Sequence, residues 1–399
     1  MFSFKLIKQS SKSKARVGRL ITPNGIIDTP AFIFCATKAD VKGVTIDQVR
    51  NAGTQIILSN AYHLMLQPGS SIIKKSGGLG KFTGWNGPML TDSGGFQIFS
   101  LGHGGVASEI KGIARCNGFK NKKTMLKISE EGALFRSYID GKKILITPEI
   151  SMKIQQDLGA DLIVSFDECT PFHVDKKYTK ESMERSKRWG LRSLNYINET
   201  GDGTQKILAV IQGGVYKDLR EESADFANNH NFFGFAIGGS LGKTEQEMRD
   251  IVEMTNSMLD KSRSVHLLGI GGIEDIFYGV MYGIDTFDCV SPTRIARHGM
   301  AIVKKKFCNG KNYTDLSNSI YKEDCSPISE DCNCYTCQSF SRSYINHLFK
   351  GKESLGGSLI SIHNIYTMNR LMTDIRNGII NDDGNTNNAM NSVYKDWCV

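Results

Sequence analysis

No apolar run in this 399-residue chain approaches the roughly 18 residues that a membrane-crossing helix needs. That sets helical membrane proteins aside. From Met1 to Leu20 the chain mixes Lys, Ser and Arg without a hydrophobic segment, so a secretory leader is not expected and the compartment expected is cytoplasmic. There is neither a P-loop nor a Gly-x-Gly-x-x-Gly fingerprint, so nothing calls for a nucleoside triphosphate or a nicotinamide. Internal repeats and long low-complexity tracts are absent too, which excludes solenoid arrays. What remains is an ordinary globular composition, 40% hydrophobic and 23% charged, with a net charge of +8. So mild a basic excess tolerates a polyanionic partner without demanding one.

Short apolar, β-branched runs recur at Thr29–Cys35, Thr54–Ser59, Pro88–Asp92, Asp161–Asp167, Lys206–Gly213, Phe233–Gly239, Val265–Gly271 and Thr286–Val290. Stretches of helical character separate most of them, among them Met152–Leu158, Ser182–Tyr196, Glu245–Leu259 and Ile273–Tyr282. Strands alternating with helices imply an α/β fold with a parallel sheet, and eight such runs fit a (β/α)8 TIM barrel over residues 1–300. The runs are continuously apolar, as strands covered on both faces are. Lys111–Asp140 breaks the rhythm with a basic cluster, Lys120, Lys122 and Lys123. Phe135–Lys142 then predicts a hairpin turning at Asp140-Gly141. Beyond residue 300 the character changes. A zinc-binding subdomain is expected over 301–365, and a C-terminal helix packing on the barrel over 366–399, with a frayed Asn381–Asn391 in its tail.

In barrels of this kind chemistry gathers at the carboxyl ends of the strands. Those ends carry Asn60, Asp92, Asp167, Gln212, Gly238-Gly239, Gly269–Gly272 and Asp288. One Asp or Asn there can simply cap the next helix, but a polar residue after almost every strand favours a site. Asp288 ends an apolar run and is followed by a proline turn with Arg294 and Arg297. A carboxylate so placed can act as a nucleophile, and guanidiniums beside it suit a phosphate-bearing substrate. Asp92 has a similar setting, and two such carboxylates suggest two-step displacement at a sugar carbon. Asp167 can accept a pair of hydrogen bonds from the Watson–Crick edge of a purine such as guanine, while Gln212 and backbone N–H groups near Gly239 reach the base carbonyl. Phe96, Tyr282 or Met281 are candidates to stack on the ring.

The ten cysteines are unevenly spread, with Cys325, Cys332, Cys334 and Cys337 crowded together. With no secretory leader expected, that clustering points to a metal and not to disulfides. Cys332, Cys334 and Cys337 with the later His363 make a closed tetrahedral Zn²⁺ set, hence a structural ion. Cys325 and His347 are rival ligands.

Together these residues resemble the tRNA-guanine transglycosylase family, bacterial homodimeric type. The motifs are Ser59-Asn60-Ala61-Tyr62-His63-Leu64, Thr91-Asp92-Ser93-Gly94-Gly95-Phe96-Gln97, Phe166-Asp167-Glu168-Cys169, Val210-Ile211-Gln212-Gly213-Gly214, Phe287-Asp288-Cys289-Val290-Ser291-Pro292-Thr293-Arg294, and the Cys332, Cys334, Cys337 and His363 set. The resemblance implies a zinc-containing barrel that exchanges guanine at the wobble position of tRNAs with GUN anticodons (those for Asp, Asn, His and Tyr). The incoming base is a 7-deazaguanine, preQ1 or queuine. By the match Asp288 is the nucleophile and Asp92 the general acid/base. Base binding falls to Asp92, Ser93, Gly94, Gly95, Phe96, Asp167, Gln212 and Gly239. Contacts to tRNA fall to Gly269, Ile270, Gly271, Gly272, Ile273, Glu274 and Asp275, and to Thr293, Arg294, Ile295, Ala296 and Arg297. A homodimer is implied.

The chain departs from the family pattern at Gly238-Gly239-Ser240-Leu241-Gly242-Lys243-Thr244, where the bacterial family usually reads Gly-Gly-Leu-Ala-Val-Gly-Glu. Gly242 in place of valine is expected to enlarge the pocket toward queuine. Thr244 in place of glutamate leaves Glu245 as the stand-in carboxylate for preQ1. Ala114–Met125 is lengthened, and its lysines are candidates for tRNA contact. A non-catalytic partner subunit would be expected to lose Asp92 or Asp288, and both are present. A zinc hydrolase would need its ligands at strand ends, where they are not.

Overall fold

The computed structural model describes residues 1–102, 125–170, 174–382 and 389–399. The lengthened segment Ala114–Met125 and the lysines at 120, 122 and 123 lie, but for Met125, outside the described residues.

Eight parallel strands close into a barrel in chain order: Ala31–Cys35, Ile57–Ser59, Met89–Thr91, Leu162–Val164, Lys206–Ile211, Gly234–Ile237, Ser264–Leu267 and Thr286–Cys289. Every run expected to be a strand is one. Most are shorter at the carboxyl end, because the polar residues there leave the ladder to form loops. Asp92 and Asp167 fall beyond their strands, whereas Asp288 stays inside its own, paired with Ile33 of the neighbouring strand. The barrel strands are buried almost throughout, since helices cover their outer faces.

Local signals explain the helices. Thr147 caps Pro148–Leu158, whose first residue is proline, and Gly159 ends it at φ 74°. Asp175 caps Lys176–Thr200. The predicted hairpin is part of a three-stranded antiparallel sheet, Met125–Ile128, Ala133–Arg136 and Lys143–Ile146, in which Arg136 faces Lys143 across the Asp140-Gly141 turn. The strands Ser3–Gln9, Arg16–Thr22 and Gly25–Thr29 form an N-terminal sheet that no sequence pattern announces. Among the described residues no helix is long and apolar enough to cross a membrane.

Internal contacts divide the chain into two units. The first, mainly Leu58–Leu268, holds the strands from Met89–Thr91 to Ser264–Leu267 and the antiparallel sheet. The second, mainly Ile26–Ile57 and Gly269–Val399, holds Ala31–Cys35, Thr286–Cys289 and the cysteine cluster. Within it, buried Arg16 grips buried Asp285 through two hydrogen bonds of 2.9 and 2.6 Å, pinning the start of the strand that carries Asp288. The helix Ser354–Ile380 runs through that unit, and its Asn364 donates to Pro292 O and Met300 O while accepting from Ile302 N. The end of the chain is a further helix, Ala389–Cys398, with Trp397 buried and its indole N–H on Asp374.

Candidate active site and metal centre

Asp92 follows Met89–Thr91, the strand that Gln155 steadies by accepting from the Thr91 hydroxyl at 3.0 Å. Its carboxylate collects three N–H donors. Ala61 N, at the start of Ala61–Leu66, donates to Oδ1 at 2.8 Å; Gln97 Nε2 donates to Oδ2 at 2.8 Å; Asn60 Nδ2 also donates to Oδ2. Donors on both oxygens fix the plane of the carboxylate. The sequence marked Asn60 as a strand end but gave no sign that Asn60 and Gln97 converge on Asp92. Phe96 stands at the start of the helix Gly95–Gly102 and is 41% exposed, available for stacking. Tyr282 and Met281 sit at the carboxyl end of Ile273–Met281, the end that leads into the base of the next strand, so neither is placed to stack at a strand's carboxyl end.

Asp167 lies three residues beyond Leu162–Val164 and is buried. Gln212 Nε2 donates to its Oδ2 at 2.6 Å and Ser93 Oγ to its Oδ1 at 3.3 Å. Burial pushes this carboxyl up to about 6; the bonds from Gln212 and Ser93 oppose the rise, and the nearby Asp92 charge adds to it. Gln212 Oε1 is buried and has no hydrogen-bond partner among the described residues. Gly239, at φ 77°, comes so close that a Cβ there would lie 2.2 Å from Gln212 Oε1. Asp167, Gln212 and Gly239 thus form a tight polar corner that still has an unused acceptor. The adjacent Glu168 belongs elsewhere, tied to Tyr178 Oη at 2.6 Å and to Arg185.

Gly242 and Thr244 each have a local structural role. Gly242 has φ 98°, and a Cβ would meet Glu247 Cβ at 2.6 Å, so the backbone turn itself calls for a glycine here. Thr244 caps the helix Glu245–Met258, its hydroxyl accepting from Glu247 N at 3.1 Å, while Glu247 Oε2 accepts from Lys243 N and Thr244 N. Glu245 is largely exposed and pairs with Arg249.

In the second unit, buried Asp288 accepts from Gly269 N at 2.9 Å on Oδ1, and the Cys35 thiol reaches Oδ2 at 3.6 Å. Cys35 had carried no signal as a partner of Asp288. Of the stretch Gly269–Asp275, Gly271 packs against Cys289 and Phe32, Ile273 is buried, and Glu274 binds Lys305 Nζ at 2.5 Å. On the helix Ser291–Ala296, Thr293 and Ala296 are buried, whereas Arg294 and Arg297 are exposed.

Cys332, Cys334, Cys337 and His363 are all buried, with their four ligand atoms within 4.8 Å of one another. His363 Nδ1 stands 3.6, 3.5 and 3.3 Å from the sulfurs of Cys332, Cys334 and Cys337. A tetrahedral Zn²⁺ with its usual bond lengths would set these at about 3.6 Å. His363 Nε2–H donates to Ile302 O at 2.8 Å, which leaves Nδ1 bare toward the thiols. The donor set suits zinc. Cys325 and His347 are exposed and outside the group.

A sequence model of the family described as queuine tRNA-ribosyltransferase matches residues 10–397. A queuine tRNA-ribosyltransferase of a Roseiflexus species is 44% identical over 387 residues, covering 95% of this chain and 96% of that relative. Those of Protochlamydia amoebophila and Synechococcus elongatus are also 44% identical, each over 96% of this chain and over 96% and 92% of their own lengths. With a barrel, a polar corner and a Cys₃His cluster in place, the chain belongs to the queuine tRNA-ribosyltransferase family.

Proposed function

We propose that this enzyme exchanges guanine at the wobble position of tRNAs with GUN anticodons for a 7-deazaguanine base. The corner formed by Asp167, Gln212 and Gly239 carries the reading. Ionised Asp167 accepts from guanine N1–H and the exocyclic amine, and Gln212 Nε2 with the Gly239 N–H donates toward O6. An anticodon loop is single-stranded, so its base enters such a corner at moderate cost. Exposed Arg294 and Arg297 meet the phosphates. Gly269–Asp275 supplies the remaining contacts to tRNA, through backbone where its side chains are engaged.

In the first step an Asp288 oxygen attacks C1′ of the ribose. The C1′–N9 bond breaks, its electron pair stays on guanine, and Asp92 as the acid delivers a proton to N9. The ribose is then joined to Asp288 as an ester-like adduct. In the second step Asp92 as the base removes the N9 proton of the incoming base, N9 attacks C1′, and the Asp288 carboxylate departs. Two inversions at one carbon leave the β configuration. Donors that tighten on departing guanine lower the barrier.

Cys332, Cys334, Cys337 and His363 hold one structural Zn²⁺ that orders the segment around them and takes no chemical step. The active form is a homodimer in the cytoplasm, and the incoming base is preQ1 or queuine. Incubating the enzyme with an unmodified GUN tRNA and labelled guanine, then each 7-deazaguanine, tests the reading. Label or mass at the wobble nucleoside is expected, and no exchange with any of the three would overturn it.

A further inference from the structure

Arg220 is completely buried, in the first turn of the helix Lys217–Asn228. Its side chain has no carboxylate partner among the described residues. Instead its fork is spent on carbonyls: Nε donates to Gly214 O at 2.8 Å, Nη1 to Ile211 O at 2.9 Å and Nη2 to Ser240 O at 3.1 Å. Burial pushes the guanidinium down to about 9, which still leaves it a cation at neutral pH. A buried cation facing only dipoles is costly, and an apolar side chain would fill the same space without that cost. The three carbonyls explain where the donors go, and their positions show what the arrangement achieves.

Ile211 and Gly214 bracket Gln212, and Ser240 follows Gly239. The same helix also takes the Gln212 backbone, since the Ser223 hydroxyl accepts from Gln212 N at 3.1 Å. One rigid planar group therefore spans the two loops that bring Gln212 Oε1 and Gly239 together. We infer that Arg220 is a positioning residue for base recognition, fastening the Gln212 and Gly239 loops at one separation so that the purine-binding corner is formed before the base arrives. The inference rests on the reading of that corner given above. Completely buried, with its donors on three carbonyls, Arg220 is not placed to meet a ligand directly. It acts through the two loops.

Guanine exchange by the unaltered enzyme, measured first, secures that reading. Arg220→Met then removes the donors while keeping much of the volume. Per folded molecule, counted by thermal unfolding, its KM for guanine should rise on the order of 10–100-fold, the scale of a small misplacement of binding groups. The KM for tRNA, set largely by phosphate contacts, should move less than about threefold. A variant that melts earlier but keeps the guanine KM of the parent would reduce Arg220 to a structural role and sink this inference alone. Hydrogen exchange on the unaltered enzyme decides the matter even if Arg220→Met does not fold. Amides in residues 211–214 and 239–241 should be protected before guanine is added and change less than about twofold on binding. Loops that exchange freely until guanine arrives would overturn it.

Discussion

Gln212 Nε2 donates to Asp167 Oδ2 across 2.6 Å, and both side chains are buried. The pair joins an amide that can also serve the base to a carboxylate raised by burial to about 6. In the proposed binding mode guanine needs that carboxylate ionised. The KM for guanine should therefore climb as pH falls through 6, and Asp167→Asn should show high KM at every pH. A flat pH profile of KM between 5 and 7 would detach Asp167 from base binding.

The same shift has a consequence for stability. A carboxyl raised in the folded state binds its proton more tightly there than in the unfolded chain. Its contribution is present below the ordinary value of 3.8 and is lost as pH rises through about 6. Asp167→Asn should remove that loss, so the variant should gain melting temperature relative to its parent as pH goes from 4.5 to 7. A parent-minus-variant difference independent of pH would contradict the sign.

Asp288 stays within its strand, held from Gly269 N, and serves as the nucleophile in the proposed mechanism. Asp288→Ala should yield no covalent enzyme–tRNA band on a denaturing gel. Asp92→Ala should slow exchange by roughly 10²–10⁴-fold, the usual worth of a general acid/base. A band persisting without Asp288 would reassign the nucleophile.

Gly239 and Gly242 make opposite predictions about function. Gly239→Ala drives a methyl into Gln212 and strains a positive φ, so it should abolish base binding and cost roughly 1–2 kcal/mol of stability. Gly242→Val meets Glu247 and should destabilise the enzyme without changing the ratio of preQ1 to queuine use. Thr244→Ala removes a helix cap and should cost about 1 kcal/mol. A clean switch of substrate in Gly242→Val would make pocket volume the explanation.

Metal analysis should find one zinc per chain. Chelation or Cys334→Ser should raise hydrogen exchange from 328 to 363, where buried Ile328, Ile345, Leu348 and Ile360 pack with the cysteines, and leave Lys176–Thr200 unchanged. Equal loosening of both regions would deny the ion a local role.

Eight strands were legible because each is a short, largely apolar run and most run out into Gly, Asn, Asp or Ser, a pattern that depends only on neighbours in the chain. The three cysteines of the Cys₃His set were legible for a related reason: thiols packed within six residues, Cys332 to Cys337, have few other uses in such a chain. The N-terminal sheet has no such signature, because Ser3–Gln9 has a mostly exposed face and no apolar run. The helix Ala389–Cys398 lacks one too, because the packing that orders it comes from remote residues. Trp397 is held by Asp374 and by Asn312, whose side chain donates to Trp397 O.

Sequence alone determined which residues stand at the ends of strands, and hence the kinds of chemistry available. Tertiary structure decided the partners: three donors on Asp92, a thiol on Asp288, Gly242 answering to Glu247, and Arg220 spending its charge on carbonyls. The physical reason is the range of the forces involved. Apolar periodicity is set by adjacent residues, whereas a hydrogen bond needs two groups within about 3 Å, and for groups far apart in sequence only the folded chain supplies that proximity.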